Sequence, residues 1–238
     1  MTVEEFDIRF DILYNNLASN AAPALNAYEK SVFLSQAQRD IIIELYNGRN
    51  VSGISFESTE EARAYLRNLN RIKTIDTFQV DEESYTDCLK HVIPLYTENE
   101  KKEFSEVLFI TKEEVRFKIL DDMCLKSKIP IVTPVKQDCL LKILKNPFKK
   151  PSDNTVLRVD DADSGGSTIS IYSKYPIKNY RLYYVKIPSP IILGGIDSGL
   201  YIDGVSCGTA KDCELHTILH TSILERAVAL AKQAYIGQ

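Results

Sequence analysis

The loop that contains Asp163, Ser164 and Gly165 has residue types that can support nucleophilic catalysis. A catalytic serine needs a base within hydrogen-bond reach, most often a histidine, and a carboxylate orients that base. The chain has a single histidine upstream of this loop, His91, and no recognisable catalytic motif surrounds it. Since the same residues suit a polar turn between two strands, we interpret Ser164 as a turn residue rather than as a nucleophile.

A second group has the residue types of structural zinc sites and consists of Cys207, Cys213, His216 and His220. Zinc prefers four Cys or His ligands in a tetrahedral arrangement, and two histidines four residues apart on a helix share one face. The two cysteines, however, have five residues between them, whereas two to four are usual in such sites. We therefore expect no metal here, and a zinc-supported hydrolase stays the less favoured alternative.

The charged residues form two blocks of opposite sign. Residues 76–122 contain 13 acidic and 6 basic side chains, and residues 126–150 contain seven lysines against one aspartate. The lysine block ends with Phe148, Lys149 and Lys150. It has the charge for phosphate contacts but little of the aromatic interleaving typical of single-strand binding. We favour a solvated face, or complementary patches that pair within the fold or between neighbouring copies.

The composition is that of an ordinary folded protein. Hydrophobic residues make up 44% and charged residues 26% of the chain, which excludes wholesale disorder. A net charge of −4 and a pI near 5.5 argue against a dedicated nucleic-acid binder. The acidic start of the chain predicts no signal peptide, and its apolar runs are too short to cross a membrane. The five irregularly spaced cysteines are then typical of reduced thiols in a protein made in the cytoplasm.

The elements that must position these residues begin with three predicted helices. The first has one apolar stripe, formed by Phe6, Phe10, Leu13 and Leu17. Ser35 and Gln38 have the spacing of a capping box and predict the start of a second helix, which Gly48 ends. Ser58 and Glu61 predict a third helix in the same way. Its predicted buried face consists of Ala62, Tyr65, Leu66 and Leu69.

The remainder of the chain is predicted to be mixed and rich in strands. β-branched and aromatic residues between turn residues mark strands at 107–111, 115–119, 129–132, 155–159, 168–172 and 180–187. A helix is predicted to begin between Pro134 and Asp138 and to end before Pro147. The predicted fold class is α+β, with an N-terminal helical part, a β-rich centre and C-terminal half, and a C-terminal α-helix. Residues 1–72 and 73–238 form two regions or one continuous domain.

The terminal helix, predicted from about residue 216 to 235, has an apolar side that needs a partner surface. This side consists of Leu219, Ile223, Ala227, Leu230 and Ala234. We interpret the helix as an arm that docks on a neighbouring copy, and we take these residues, with Lys149 and Lys150, as interface candidates. The alternative is a helix that packs on its own domain.

Three blocks of the sequence carry a family likeness, although none is a catalytic signature. The first covers residues 13–48 and includes the sequence Ala-Tyr-Glu-Lys-Ser that ends at Ser31. The second covers residues 145–151 and 156–158, and then a strand from Tyr180 into the segment 188–193. The third begins with Cys213, Glu214 and Leu215 and runs through His220 to residues 224–228. In this order the blocks resemble the neck proteins of crAss-like tailed phages of gut bacteria.

The resemblance implies a virion structural protein without enzymatic activity or cofactor. It implies a homo-oligomeric ring, twelvefold in symmetry, in the neck that connects the portal to the tail. The expected partners are other copies of this chain, the portal protein and other neck and tail ring proteins, with no membrane. Genomic DNA is expected to pass through the lumen without specific binding. His216 departs from the family pattern, which tends towards Pro there. A nucleic-acid-binding accessory protein that uses residues 126–150 is the alternative.

Overall fold

A computed structural model of the chain describes residues 1–15, 24–48, 60–76, 79–82, 88–94, 107–118, 129–163 and 166–236. The helices are α1 (Val3–Asn15), α2 (Ala27–Asn47), α3 (Glu60–Tyr65), α4 (Gln137–Leu144) and α5 (Leu219–Ile236), with a 3₁₀ turn at Arg67–Leu69. The first five strands are β1 (Asn70–Ile75), β2 (Gln79–Glu82), β3 (Leu89–Pro94), β4 (Val107–Phe117) and β5 (Ile131–Pro134). The others are β6 (Thr155–Asp163), β7 (Gly166–Ser173), β8 (Ile177–Lys186), β9 (Tyr201–Ile202) and β10 (Val205–Ser206). The predicted α+β class is confirmed.

The chain divides into two compact units. Unit 1 consists of residues 1–69 and 188–238, and unit 2 of residues 70–187. The chain passes from unit 1 to unit 2 between residues 69 and 70, whereas the sequence placed the boundary at residue 72. The C-terminal residues, however, return to the helical unit, because helix α5 buries its apolar side against α1 and α2. None of the described helices has the length and hydropathy to cross a membrane.

Helix α1 begins with a capping box. The Thr2 hydroxyl accepts from the amide of Glu5, and the Glu5 carboxylate accepts from the amide of Thr2. The predicted stripe is confirmed at Phe6 and Phe10 but wrong at Leu13, which is 36% exposed while Tyr14 is buried. A spacing of four residues thus continues along the buried face, and Leu17 lies outside the described residues.

Helix α2 begins earlier than predicted. Asn26 is its N-cap and forms the capping box with Glu29, whereas Ser35 and Gln38 are buried in the middle of the helix. The predicted start at Ser35 is therefore wrong. The predicted end is confirmed, because Gly48 takes a left-handed conformation with φ of 67°, which glycine adopts without steric cost.

Three polar side chains of α2 form a hydrogen-bonded row with the backbone of segment 188–193. The Ser31 hydroxyl accepts from the amide of Leu193 at 3.0 Å. The Ser35 hydroxyl accepts from the amide of Ile191 at 3.0 Å and donates to the carbonyl of the same residue. Gln38 donates to the carbonyl of Ser189. The spacing of i, i+4 and i+7 places all three side chains on one helix face, so the helix takes the place of a neighbouring strand.

A hairpin of β9 and β10 completes this side of unit 1. Its two turn residues, Asp203 and Gly204, have φ of 51° and 76°, as a two-residue hairpin turn of this handedness requires. Arg39 of α2 pairs with Asp203, and the hydroxyl of Tyr28 donates to the carbonyl of Tyr201. Helix α2 therefore also positions the hairpin.

Helix α5 belongs to the core of unit 1. Leu219, Ile223 and Ala227 are buried, Leu230 is half-buried and Ala234 is exposed. The buried face also includes Leu224, Val228 and Ala231, which lie beside the predicted stripe on the helix surface. The docking-arm interpretation does not fit this placement, because Leu219, Ile223 and Ala227, which it needs at a subunit interface, are already buried within unit 1.

A buried cation joins α1 to α2. The ammonium group of Lys30 lies 2.8 Å from Asp7 and 2.7 Å from Asp11. Burial works to lower the pKa of Lys30, but the hydrogen bonds and charges of the two carboxylates outweigh it and raise the pKa overall. The lysine therefore stays charged, as a buried ammonium group with two anionic partners should.

Within the described residues, unit 2 is a sandwich of two sheets. One has the strand order β1-β8-β4 and the other β2-β3-β7-β6-β5, and only the β5–β6 pair is parallel. Their inner faces share one apolar core: Ile93, Val115, Phe117, Val156, Ile169, Ile171, Ile177, Tyr180, Leu182 and Tyr184. Helix α4 covers the outer face of the larger sheet, where Leu140 and Leu144 pack on Leu157, Val159 and Tyr172.

Most strand predictions for unit 2 are confirmed. The segments expected at 155–159, 168–172 and 180–187 lie in β6, β7 and β8, and α4 begins within the predicted interval. The segments expected at 107–111 and 115–119 are joined in the single strand β4, whose register is irregular between Ile110 and Lys112. Of the face predicted for the third helix, Ala62, Leu66 and Leu69 are buried and Tyr65 is half-buried, although α3 itself ends at Tyr65. Ser58 lies outside the described residues.

Replacement of Ile223 by Ala should lower the free energy of unfolding of unit 1 by about 2–5 kcal/mol, since a fully buried side chain leaves a cavity. Urea unfolding followed by far-UV circular dichroism measures the change. The matched control is Ser222→Ala at the adjacent exposed position, expected to stay within about 0.5 kcal/mol of the parent. A stable Ile223→Ala protein that fails only in assembly would restore the docking-arm interpretation.

Candidate functional site

The two cysteines considered as zinc ligands lie in different surroundings. Cys207 is buried in an apolar cluster with Ile192 and Ile202. Cys213 is half-buried, and burial raises the pKa of its thiol to about 11, opposed by a backbone hydrogen bond from Leu215. Since zinc binds the thiolate, a thiol that stays protonated at neutral pH is a poor ligand.

The two histidines of the same group also contact different neighbours. His220 is buried against the ring of Phe6, with Nε2 3.1 Å from the carbonyl of Leu215 and Nδ1 2.7 Å from the amino group of Met1. Burial lowers the pKa of His220, and the Met1 charge adds to this effect. His216 is exposed and lies near the ring of Tyr65. Across the described part of the chain, no three Cys, His, Asp or Glu side chains are grouped as metal ligands.

Ser164, the serine expected in a turn, lies outside the described residues. The only histidine before it in the sequence, His91, contacts a different serine. His91 and Ser173 are buried on β3 and β7, with Nε2 3.1 Å from the hydroxyl, which itself donates to the carbonyl of Tyr175. Burial lowers the pKa of His91 to about 4, although a hydrogen bond from the ring to the backbone of Tyr175 acts to raise it. Because both side chains are inaccessible, this serine–histidine pair connects strands and does not reach a substrate.

The sandwich interior contains a second buried polar group. Arg158 lies 2.9 Å from Glu113, and the hydroxyl of Tyr180 donates to the same carboxylate. Burial raises the pKa of Glu113, although Tyr180 and Arg158 both act to lower it. Burial also raises the pKa of Tyr180, with the charge of Glu113 adding to it. A carboxyl group with a raised pKa can serve as a catalytic acid. The carboxyl group of Glu113, however, lies between the two sheets and is already bound by Arg158 and Tyr180.

Among the described residues of unit 2, an accessible cleft of about 540 Å³ lies beside α4. Its apolar floor consists of Val135, Ile143 and Leu157, and its rim includes Lys149, Lys150 and Lys174. Phe148 stands beside these lysines with 95% of its surface exposed. Lys174 pairs with Asp153 at 3.0 Å. The two sequence-predicted lysines thus lie on one accessible surface. The sequence pattern missed Lys174 because it follows β7, outside the lysine block.

Comparison with known proteins identifies the family of this chain. The family described as phage tail ring protein 3/4 matches residues 1–238. The chain belongs to this ring protein family. It is 38% identical over 235 residues to "Ring protein 3" of Bacteroides phage crAss001, covering 97% of this chain and 95% of that protein. It is 29% identical over 246 residues to "Ring protein 4/5" of the same phage, covering 100% and 94% of the two chains.

The resemblance to structural ring proteins of crAss-like phages is therefore confirmed. In this ring protein the three blocks that carried the likeness are structural. Ser31 and Ser35 of the first block bind the backbone of segment 188–193 from the second. Glu214 of the third block accepts from the amide and hydroxyl of Ser189. Position in the neck, twelvefold symmetry and contact with a portal stay predictions.

The purified protein should contain no stoichiometric zinc, because the four considered ligands lie in separate environments. Elemental analysis by mass spectrometry should give far less than one zinc per chain, and a chelator should leave the melting temperature unchanged. A ratio near one, lost together with the fold on chelation, would contradict the assignment.

The stability of unit 2 should fall as the pH decreases from 6.5 to about 4 because of His91. In this range the unfolded histidine binds a proton and the folded one does not, so the unfolded state is favoured by up to about 1.4 kcal/mol per pH unit. Burial raises the pKa of Glu113, which acts in the opposite direction. The His91→Gln variant separates the two contributions. Its urea-unfolding free energy should show a smaller acid loss than the parent, and an identical slope would contradict this account.

Proposed function

We propose that this protein is a structural subunit of a phage virion, assembled as a homo-oligomeric ring of twelve copies in the neck between portal and tail. The full-length match to two ring proteins of one phage carries the proposal. If only one segment of the chain matched these ring proteins, the rest of the chain could serve a different assembly. Here both units contribute aligned residues from end to end.

The chemistry of the described residues supports a structural rather than an enzymatic role. The buried titratable groups of unit 2, His91 and Glu113, are enclosed by the sandwich and hydrogen-bonded there. In unit 1 the buried cation Lys30 is held by two carboxylates. Each of these groups stabilises the subunit, and none lines the accessible cleft. We therefore assign the protein no catalytic activity.

A closed ring of identical subunits needs two different surfaces on each subunit that fit one another. The proposed partners are neighbouring copies around the ring, and the portal protein or other ring proteins above and below it. The ring encloses a lumen through which genomic DNA passes. Because the chain has a net charge of −4, the proposed lumen does not bind DNA specifically.

Electron microscopy of the purified protein tests this proposal. Closed rings with twelvefold rotational symmetry are expected in class averages, and mass photometry should give a mass of about twelve subunits of 27.0 kDa. Antibody labelling of intact virions should mark the junction between head and tail. A protein that stays monomeric at all concentrations, or labelling confined to the capsid shell or tail tip, would contradict the proposal.

The second candidate function is nucleic-acid binding by the lysine surface. The observation in its favour is the exposure of Lys149 and Lys150 beside the exposed ring of Phe148. Phosphate contacts of this kind would make DNA affinity fall steeply with salt concentration. DNA binding that weakens steeply as the salt concentration is raised would favour this function over a purely structural one.

A further inference from the structure

Helix α1 has two isoleucines on the side that faces solvent. Ile8 is 62% exposed and Ile12 is 53% exposed. With 3.6 residues per turn, both lie opposite the buried face formed by Phe6, Phe10 and Tyr14. At this i, i+4 spacing their Cβ atoms are about 5–6 Å apart, so they form one apolar patch. Isoleucine is a weaker helix former than alanine, glutamate or lysine, so helix formation does not account for the pair.

Carboxylates border this patch. Glu4 and Glu5 are exposed and lie one turn before the first isoleucine, on the same side of the helix. The helix contains four acidic residues against one basic residue, Arg9, which lies farther round the helix. The other two carboxylates bind Lys30, and Asp212 adds a carboxylate at the helix start. The outer face of α1 is the name we give to Glu4, Glu5, Ile8 and Ile12.

The cleft beside α4 in unit 2 has the opposite charge. Residues 136–150 contain five lysines and one aspartate, and the rim of the cleft includes Lys149, Lys150 and Lys174. Lys174 has a carboxylate partner, whereas Lys149 has no ion-pair partner within the described residues. Phe148 borders the apolar floor with 95% of its surface exposed. We call this cleft, with Phe148 and the three lysines, the basic cleft.

The chemistry of the basic cleft defines what fits it. A free anion would leave the apolar floor and the ring of Phe148 without a contact, and a purely apolar ligand would leave the lysines unpaired. An apolar helix face with an acidic border satisfies both. Amphipathic helices bind apolar grooves in this way, through anchors at i and i+4, and aromatic side chains are enriched at such interfaces.

We propose that the basic cleft of one copy binds the outer face of α1 of the next copy in the ring. The inference rests on the proposed ring and names the surfaces that close it. Each copy has both surfaces, and they are unlike, so the contact is head-to-tail, as a closed ring requires. Ile8, Ile12 and Phe148 provide the apolar contact. The lysines and glutamates around them set the orientation through charge complementarity.

Nucleic acid is the other occupant with the charge to fit the lysines of the basic cleft. It would leave Ile8 and Ile12 exposed, because an acidic helix face does not bind a polyanion. The exposed apolar patch on α1 therefore favours a second copy. The experiments below separate the two occupants.

A charge-reversal cycle on the full chain tests the polar part of the contact. Lys149→Glu and Glu4→Lys are made separately and together. Lys178→Glu and Glu225→Lys are the matched controls, at exposed positions of β8 and α5 outside both surfaces. In sedimentation velocity each single reversal should weaken self-association about tenfold or more, and the double variant should recover part of the loss. The controls should associate like the parent.

Ile8→Ser and Phe148→Ala test the apolar part. Each should weaken self-association about tenfold and leave the melting temperature unchanged, since both side chains are exposed in the subunit and serine has about the helix propensity of isoleucine. Ile72→Ser is the matched control, because Ile72 on β1 is 63% exposed. A lower melting temperature of Ile8→Ser with unchanged association would contradict the proposal, because the patch would then be covered within the subunit.

Photo-crosslinking identifies the partner surface directly. The photoreactive amino acid p-benzoylphenylalanine replaces Phe148, and rings are assembled from a mixture of isotopically light and heavy chains. Mass spectrometry should find mixed light–heavy cross-links that join position 148 of one copy to residues 4–12 of another. Cross-links that reach a different surface exclude α1 as the partner.

The outcomes separate this inference from the proposed function. A parent chain that shows no association contradicts the ring itself and this interface with it. Rings that persist unchanged in Lys149→Glu, Ile8→Ser and Phe148→Ala contradict the interface alone. A double reversal without any recovery contradicts the pairing of these two surfaces. Rings that persist in Lys149→Glu, with binding of a duplex DNA probe lost, assign the basic cleft to nucleic acid.

Discussion

The row of hydrogen bonds between α2 and the segment 188–193 is the constraint on which unit 1 depends. Buried backbone amides and carbonyls need partners, and this segment lies beside a helix instead of a strand. Ser31, Ser35 and Gln38 supply those partners at the helical spacing that brings them to one face. Helix α2 therefore has to be continuous past Ser35.

The prolines of this segment follow from the same constraint. Residues 188 and 190 are prolines and have no amide to satisfy, while the amides of Ser189, Ile191 and Leu193 each have a side-chain partner. Ile192 faces the other way and pairs with Lys211. Alternation along an extended chain thus divides the backbone groups between two sides. The row connects residues that lie more than 150 positions apart in the sequence.

The stability of unit 2 comes from its enclosed sandwich, and its surface is left free for assembly. The buried polar groups His91, Glu113 and Tyr180 have partners inside the same unit. A ring subunit needs two unlike surfaces that fit one another. No catalytic group has to be exposed for this purpose, which agrees with a family defined by ring assembly.

Local patterns in the sequence determined the elements whose signals are themselves local. The alternation of Val156 and Leu157 between two apolar faces, the left-handed glycine at the end of α2 and the start of α4 after Pro134 all depend on neighbouring residues. The sequence spacing gave a wrong prediction where a polar side chain binds a residue that is distant in the sequence. Ser35 and Gln38 match a capping box, yet they bind a segment that only the folded chain brings near.

Sequence by itself determined the fold class, the strands β4 to β8 and the likeness to phage ring proteins, because each is encoded in periodicity or in residue identity along the chain. It did not indicate β1, β2 and β3. Tertiary structure alone decided where the candidates lie. It separated Cys207, Cys213, His216 and His220, and it buried α5 in unit 1. These are properties of long-range packing, and no local spacing specifies which distant side chain will occupy a given space.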